Sequence, residues 1–265
     1  MLYGFVKDLV RFKGMIFELA RRDYQQQNQG SYLGFVWNYL QPLLYIGVLY
    51  GVFTLGFRQG AVLDGLPFGL YLLSGMVCWL YFAANLSSIT GVISAYSFLV
   101  KKVDFRLSVL PFVKLLGSLL PHVVLIALLL VLASLSGYPP GVHSLQLLYY
   151  YLCMAALLIG LGWITSSTSL FVKDIRNAVG IVTQFGLWLT PIFWSIAQVP
   201  QQYQWIAKLN PVYYLVTGYR DSITGSHYFW QRPEEGLIFW SITLLLLALG
   251  TMVYRRLKPH FAEVV

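Results

Sequence analysis

Six stretches of this chain, at about 33–57, 68–93, 109–136, 145–172, 177–197 and 236–254, contain one charged side chain between them, Lys114. Each is about long enough to cross a bilayer as a helix. In hydrocarbon, every backbone N–H and C=O must find its partner within the protein, so such stretches fold as helices. The expected class is an all-α membrane protein with six transmembrane helices, residues 1–265 forming a single domain. Only 11% of the residues are charged, against roughly 25% in a soluble domain, and the mean hydropathy is +0.66.

The net charge of +8 would suggest nucleic acid in a soluble protein. Its placement points elsewhere. With both termini cytoplasmic, fourteen of the eighteen Lys and Arg fall on the cytoplasmic side, and Arg58, Lys208, Arg220 and Arg232 fall outside. This is the positive-inside asymmetry of a multi-pass protein, so no nucleic-acid partner is expected. Cys78 and Cys153 sit in apolar runs and read as small core residues.

Two segments between and before the spans are amphipathic. Over residues 4–24, Phe5, Leu9, Phe12, Ile16, Leu19 and Ala20 recur at helical spacing with Lys7, Arg11, Lys13, Arg21 and Arg22 between them. That pattern predicts an interfacial helix, with no signal peptide. Residues 199–227 are rich in aromatics, and 203–209 and 212–223 are too short to span. They read as two short re-entrant or interfacial helices between spans five and six.

The spans are not uniformly apolar. Trp37, Gln41 and Tyr45 share a face of the first, where Pro42 predicts a kink. Tyr71, Ser74, Cys78, Tyr81, Asn85 and Ser88 form a stripe along the second, which faces protein or water. Lys114, Ser118 and His122 share a face of the third. A charged turn, Lys173–Arg176, precedes the fifth, whose Gln184, Trp188, Pro191 and Ser195 fall at i, i+4, i+7 and i+11, followed by Trp194 near its end. Part of the 17% aromatic content belongs to the interfacial belt. The remaining rings can stack on sugars, while Gln41, Asn85 and Gln184 offer hydrogen bonds. The candidate channel residues are therefore Trp37, Gln41, Tyr45, Tyr81, Asn85, Gln184, Trp188 and Trp194.

Several chemistries are missing. There is no Gly-rich phosphate loop with its Lys, so ATP hydrolysis in this chain is not expected. His122, His143, His227 and His260 are scattered without metal-ligand spacing. Acidic residues are lacking from the spans, which weakens a proton-coupled transporter. Asp174, Asp221 and His122 are the sole candidates for an acid or base in a membrane enzyme.

Seven blocks in order resemble the ABC-2 type permease subunit of bacterial polysaccharide exporters. They are Gly30–Trp37 with Pro42–Leu43; Tyr71–Gly75 with Trp79 and Phe82; Lys102–Phe105 with Leu110–Pro111; Lys173–Asp174; Gln184 with Thr190–Trp194; Asn210–Pro211 with Tyr219–Asp221; and Arg255–Glu263. The chain departs from the family pattern at Gln27 and Asn28, and at Arg106 and Ser108. The resemblance implies a homodimer in the bacterial cytoplasmic (inner) membrane. Two copies of a separate ABC ATPase would supply ATP and Mg, this chain holding no cofactor of its own. A polyprenyl-pyrophosphate-linked glycan, with O-antigen favoured over teichoic acid and capsule, would cross at the dimer interface. Arg21, Arg22, Lys101, Lys102, Asp104 and Phe105 would couple to the ATPase, and the 199–227 helices would cap the outer mouth. The alternatives are a drug or small-lipid efflux permease of the same superfamily, an enzyme acting on lipid-linked sugars, and a channel or scaffold without ATP coupling.

Overall fold

A computed structural model describes residues 2–27, 32–56, 62–100 and 106–264. Helices α1 (Leu2–Arg11) and α2 (Lys13–Gln27) divide the expected N-terminal helix at Phe12. Helix α3 (Trp37–Gly56) follows, then a tight hairpin of β1 (Val62–Leu63) and β2 (Leu66–Pro67). Its two central residues, Asp64 and Gly65, have φ of +49° and +79°, as a type I′ turn requires. Next come α4 (Phe68–Thr90), the short α5 (Val92–Ala95) and α6 (Ser97–Val100), α7 (Leu110–Gly117), α8 (Leu119–Leu135) and α9 (Gln146–Thr168). The chain closes with α10 (Asp174–Leu189), α11 (Gln204–Lys208), α12 (Pro211–Thr224), α13 (Pro233–Leu257) and α14 (Phe261–Val264).

Among the described residues, five helical segments are long and apolar enough to cross a membrane: Gly34–Gly56, Phe68–Thr90, Leu107–Leu135, Val142–Thr168 and Pro233–Val264. The expected fifth span, 177–197, is not a helix of that length. It begins earlier, so that Asp174–Arg176 form its first turn rather than a separate turn, and it stops at Leu189. Sixteen residues rise about 24 Å, short of a hydrocarbon core about 30 Å thick. The stop has a local cause. Pro111-type entries aside, a residue before proline is driven out of the α region, and Thr190, which precedes Pro191, has φ −87° and ψ 138°. The single helical face drawn through Gln184, Trp188, Pro191 and Ser195 therefore does not exist beyond Trp188.

The third span is broken at Ser118, between α7 and α8. Pro121 has no N–H to offer the carbonyl of Gly117, which is enough to interrupt the ladder there.

Helix α4 is the centre. It is buried along most of its length, and α3, α7, α8, α9, α10 and α12 all pack on it. Helix α3 is the opposite case, with Ile46 as its one buried residue. Close approach in the rest of the bundle depends on small residues, as it does wherever lipid removes the hydrophobic drive between helices. One tight seam is α9 against α13, where a Cβ on Gly250 would lie 2.6 Å from the carbonyl oxygen of Gly160. Helix α12 also needs a glycine, since a Cβ on Gly218 would collide with the ring of Tyr150.

Both short helices between spans five and six are present, but α12 is more than an interfacial cap. Eleven of its fourteen residues are buried, wedged between α4 and α9. Asn210 caps its start by accepting from Val212 N at 3.0 Å. Pro211 occupies the first turn, and Gly225 ends it in the left-handed conformation, the usual division of labour between proline and glycine at helix ends.

The α9–α13 seam gives a test. Gly250→Leu should destabilise the protein by about 1–3 kcal/mol through overpacking. Gly47→Ala, where nothing lies within 4 Å, should be neutral or slightly stabilising. Thermal unfolding midpoints of the two variants in detergent, compared with the wild type, check both.

Candidate functional site

Five of the eight candidate channel residues line one cavity of about 660 Å³ between α3, α4 and the α7–α8 break. Trp37, Gln41 and Tyr45 come from α3, and Tyr81 and Asn85 from α4. Helical spacing places each set, four residues apart, on one face. Ser118 and His122 complete the wall at the break.

The wall is polar for identifiable reasons. Pro42 cannot donate to the carbonyl of Asn38, and the Asn38 Nδ2 is buried with no hydrogen-bond partner. Ser118 Oγ donates to Asn85 Oδ1 at 2.8 Å, and Asn85 Nδ2 donates to Tyr81 O at 2.9 Å. Tyr81 OH in turn donates to Leu115 O at 2.9 Å. The Tyr81 ring stacks on His122 with centroids 4.1 Å apart. His122 Nε2 pairs with Tyr219 OH of α12 at 2.9 Å, while its Nδ1 is buried without a partner. Among the described residues, no Asp, Glu, Lys or Arg lines this cavity. Its chemistry is that of aromatic faces, amides and hydroxyls, which suits a neutral polyhydroxylated chain or a lipid headgroup more than an ion.

Gln184, Trp188 and Trp194 lie elsewhere. Gln184 and Trp188 are exposed on α10. Trp188 contacts Phe193 with ring centroids 4.9 Å apart, and its carbonyl accepts from Trp194 Nε1 at 3.0 Å. Phe193 stacks on Phe53 of α3 at 5.1 Å, so this ring bridges the ends of α3 and α10. Pro191 and Ser195 are turned inward, and Ser195 Oγ donates to Asp64 Oδ1 at 2.5 Å.

Of the residues assigned to coupling, Lys101, Lys102, Asp104 and Phe105 lie outside the described residues. Arg21 and Arg22 are exposed on α2, Arg22 pairing with Glu18 at 2.9 Å. The firm link between the N-terminal helices and the bundle is a different one. Asp23 of α2 is buried against Lys114 of α7, with which it forms an ion pair. It also accepts from Tyr96 OH at 3.3 Å. Burial, and then the neighbouring carboxylate, raises the pKa of the Tyr96 phenol. Asp8 of α1 pairs with Arg106 at 3.4 Å, and Phe5 meets Trp163 edge-on at 5.3 Å. Asp23 escaped the reading of the sequence because its neighbours Arg21 and Arg22 made the segment look like a cationic surface.

A second polar group, with the candidate acid Asp221 in it, lies at the end of the bundle that carries the β-hairpin. Arg220 is buried with its guanidinium 3.4 Å from the centre of the Tyr71 ring. Asp221, also buried, accepts from Arg232 at 2.6 and 3.2 Å. Asp174, the other candidate acid, is exposed at the start of α10. Among the described residues no cluster of His, Cys, Asp or Glu is placed to hold a metal ion.

Comparison with known proteins adds to this geometry. A family model described as "ABC-2 type transporter" matches residues 15–224. An O-antigen export system permease protein, RfbA, of Myxococcus xanthus is 24% identical over 260 residues, covering 97% of this chain and 98% of the relative. One of the same name from Klebsiella pneumoniae is 24% identical, covering 95% and 96%. The polysialic acid transport protein KpsM of Escherichia coli is 23% identical, covering 84% and 85%.

The ion pairs make a contrast that can be measured. Asp23→Ala leaves the Lys114 ammonium buried without its carboxylate and should cost about 3–5 kcal/mol. Glu18→Ala removes only an exposed partner of Arg22 and should cost less than about 1 kcal/mol. The amount of folded protein recovered from membranes and its unfolding midpoint report the difference.

Proposed function

The chain belongs to the ABC-2 type transporter family, and from that premise we propose that it is the membrane permease subunit of an ATP-driven polysaccharide exporter. The observation that carries the reading is its end-to-end likeness to relatives named as O-antigen export permeases. O-antigen is accordingly the favoured cargo, presented as a polyprenyl-pyrophosphate-linked glycan. ATP is hydrolysed by a separate ABC ATPase, present in two copies beneath a homodimer of this chain. The protein sits in the bacterial cytoplasmic membrane with both termini inside and the β-hairpin end facing out, α10 and the Thr190–Ser195 segment after it together making the sixth crossing, an orientation that the distribution of Lys and Arg supports.

The cavity between α3, α4 and α8 lies on the glycan's path in this reading. Trp37, Tyr45 and Tyr81 present faces for sugar rings, and Gln41 and Asn85 present amides for hydroxyls. Each contact is weak and uncharged, so a chain can advance from one to the next without being trapped. Helix α3 is suited to moving during transport, because it shares so little buried surface with the bundle. Arg21, Arg22, Lys101, Lys102, Asp104 and Phe105 remain the proposed ATPase-facing residues. Gln184, Trp188 and Trp194 line the dimer seam on α10 and just beyond it. Asp23 and Lys114 transmit displacement of the N-terminal helices to the start of the third span.

The test is made in a strain that lacks this chain and retains its ATPase and glycosyltransferases. The wild-type chain should restore surface glycan. Trp37→Ala and Gln41→Ala should each lower surface glycan about tenfold, the equivalent of roughly 1.4 kcal/mol along the path, with assembly on the ATPase intact. Leu148→Ala, on an exposed part of α9, should export normally. Wild-type export by both cavity variants would remove the cavity from the path. A failure of the wild-type chain to restore glycan, with export of a small amphiphile instead, would favour the efflux reading.

A further inference from the structure

The Arg220–Asp221 pair is left over by the account so far. Both side chains are buried, at 7% and 5% exposure, in a region where burial of charge is expensive unless each charge has a partner or a use. They line a second cavity, of about 230 Å³, at the β-hairpin end of the bundle. We propose that this cavity is a binding pocket for a single sugar residue. The sugar class rests on the export reading, but the pocket is defined by its own geometry.

The pocket is built from segments far apart in sequence. Helix α12 contributes Tyr213, Thr217, Arg220, Asp221 and Thr224. These fall at i, i+4, i+7, i+8 and i+11, one face of the helix, while the opposite face, with Gly218, packs on Tyr150. The hairpin contributes Asp64, fixed by its bond from Ser195. Tyr71 of α4 lines it too, its hydroxyl anchored on Trp194 O at 2.7 Å. Arg232 closes the rim beside His227.

Three features select the ligand. Two guanidinium groups stand against two carboxylates, so the walls carry no net charge with His227 neutral, and neither a simple anion nor a simple cation is favoured. Donors and acceptors alternate within a few ångströms, which matches the hydroxyls of a sugar, each both donor and acceptor. Tyr71 and Tyr213 back the pocket as buried rings, with the Arg220 guanidinium 3.4 Å from the centre of the Tyr71 ring. The buried Nε of Arg220 carries no hydrogen bond, although its Nη2 lies 3.4 Å from the carbonyl oxygens of both Tyr71 and Ile192. The volume holds about eight waters, which is room for one sugar ring and not for an oligosaccharide.

Saturation-transfer NMR on the full chain in detergent, in complex with its ATPase, tests the pocket. The probes are D-glucose, D-galactose, D-mannose, L-rhamnose and N-acetyl-D-glucosamine, each offered singly. At least one should receive saturation from the wild type. Thr217→Trp, which fills the pocket, should abolish that signal. Thr217→Val, nearly the same in shape, should weaken binding about threefold to tenfold through one lost hydrogen bond while keeping the wild-type unfolding midpoint. The surface variant Leu148→Ala should leave the signal unchanged. Absence of transfer to every probe, or transfer that survives both Thr217 substitutions, would overturn the pocket. Neither result touches the export reading, which is judged by surface glycan in cells.

Discussion

Lipid tails solvate an apolar side chain about as well as another side chain does, so the hydrophobic effect does not hold membrane helices together. What does is close packing and polar contact, and in this protein both converge on α4. The helix is buried along nearly its whole length. Trp79 lies over Gly186 of α10, Gly75 admits Arg220 and Ile192, and Asn85 and Tyr81 bond to the α7–α8 break. The same helix therefore serves one cavity with Tyr81 and Asn85 and the other with Tyr71.

Around that centre the packing is uneven, and the unevenness has a functional meaning. Helices α9 and α13 meet through Gly160 and Gly250 with no space for a methyl group. Helix α12 is wedged in beside them and tied to the end of α10 by Asn210 Nδ2, which donates to Thr190 Oγ1 at 2.9 Å. These elements form the closely packed side. Helix α3 borders the large cavity and contributes almost nothing to the core. A permease needs a fixed frame and an element that can shift against it, and here the division runs along the cavity. The buried Asp23–Lys114 pair joins the N-terminal helices to α7, at the start of the third span, rather than to α3.

Much of this was legible in the sequence, for physical reasons. The long apolar runs gave five membrane-length helices within a few residues of their ends, because hydrocarbon leaves the backbone no alternative. The segment 212–223, too short to span, became α12 to within a residue at either end. The helical repeat gathered Trp37, Gln41 and Tyr45 on one side. Hydropathy failed where proline decided the outcome. Pro191 ended α10 at Leu189 and Pro121 broke the third span, though the surrounding residues stay apolar. It failed too where burial depended on distant partners. Nothing near Asp23, Arg220 or Asp221 announces that each is buried, since Lys114, Tyr71 and Arg232 come from other elements.

The central claim is that a glycan passes beside α3 through the cavity lined by Gln41. A photo-crosslinking amino acid placed at residue 41, in the chain co-expressed with its ATPase and radiolabelled lipid-linked glycan, tests it most directly. The account predicts a labelled adduct at residue 41 during ATP turnover and none when the crosslinker replaces Leu148. Equal labelling at the two positions, or labelling at Leu148 alone, would contradict it.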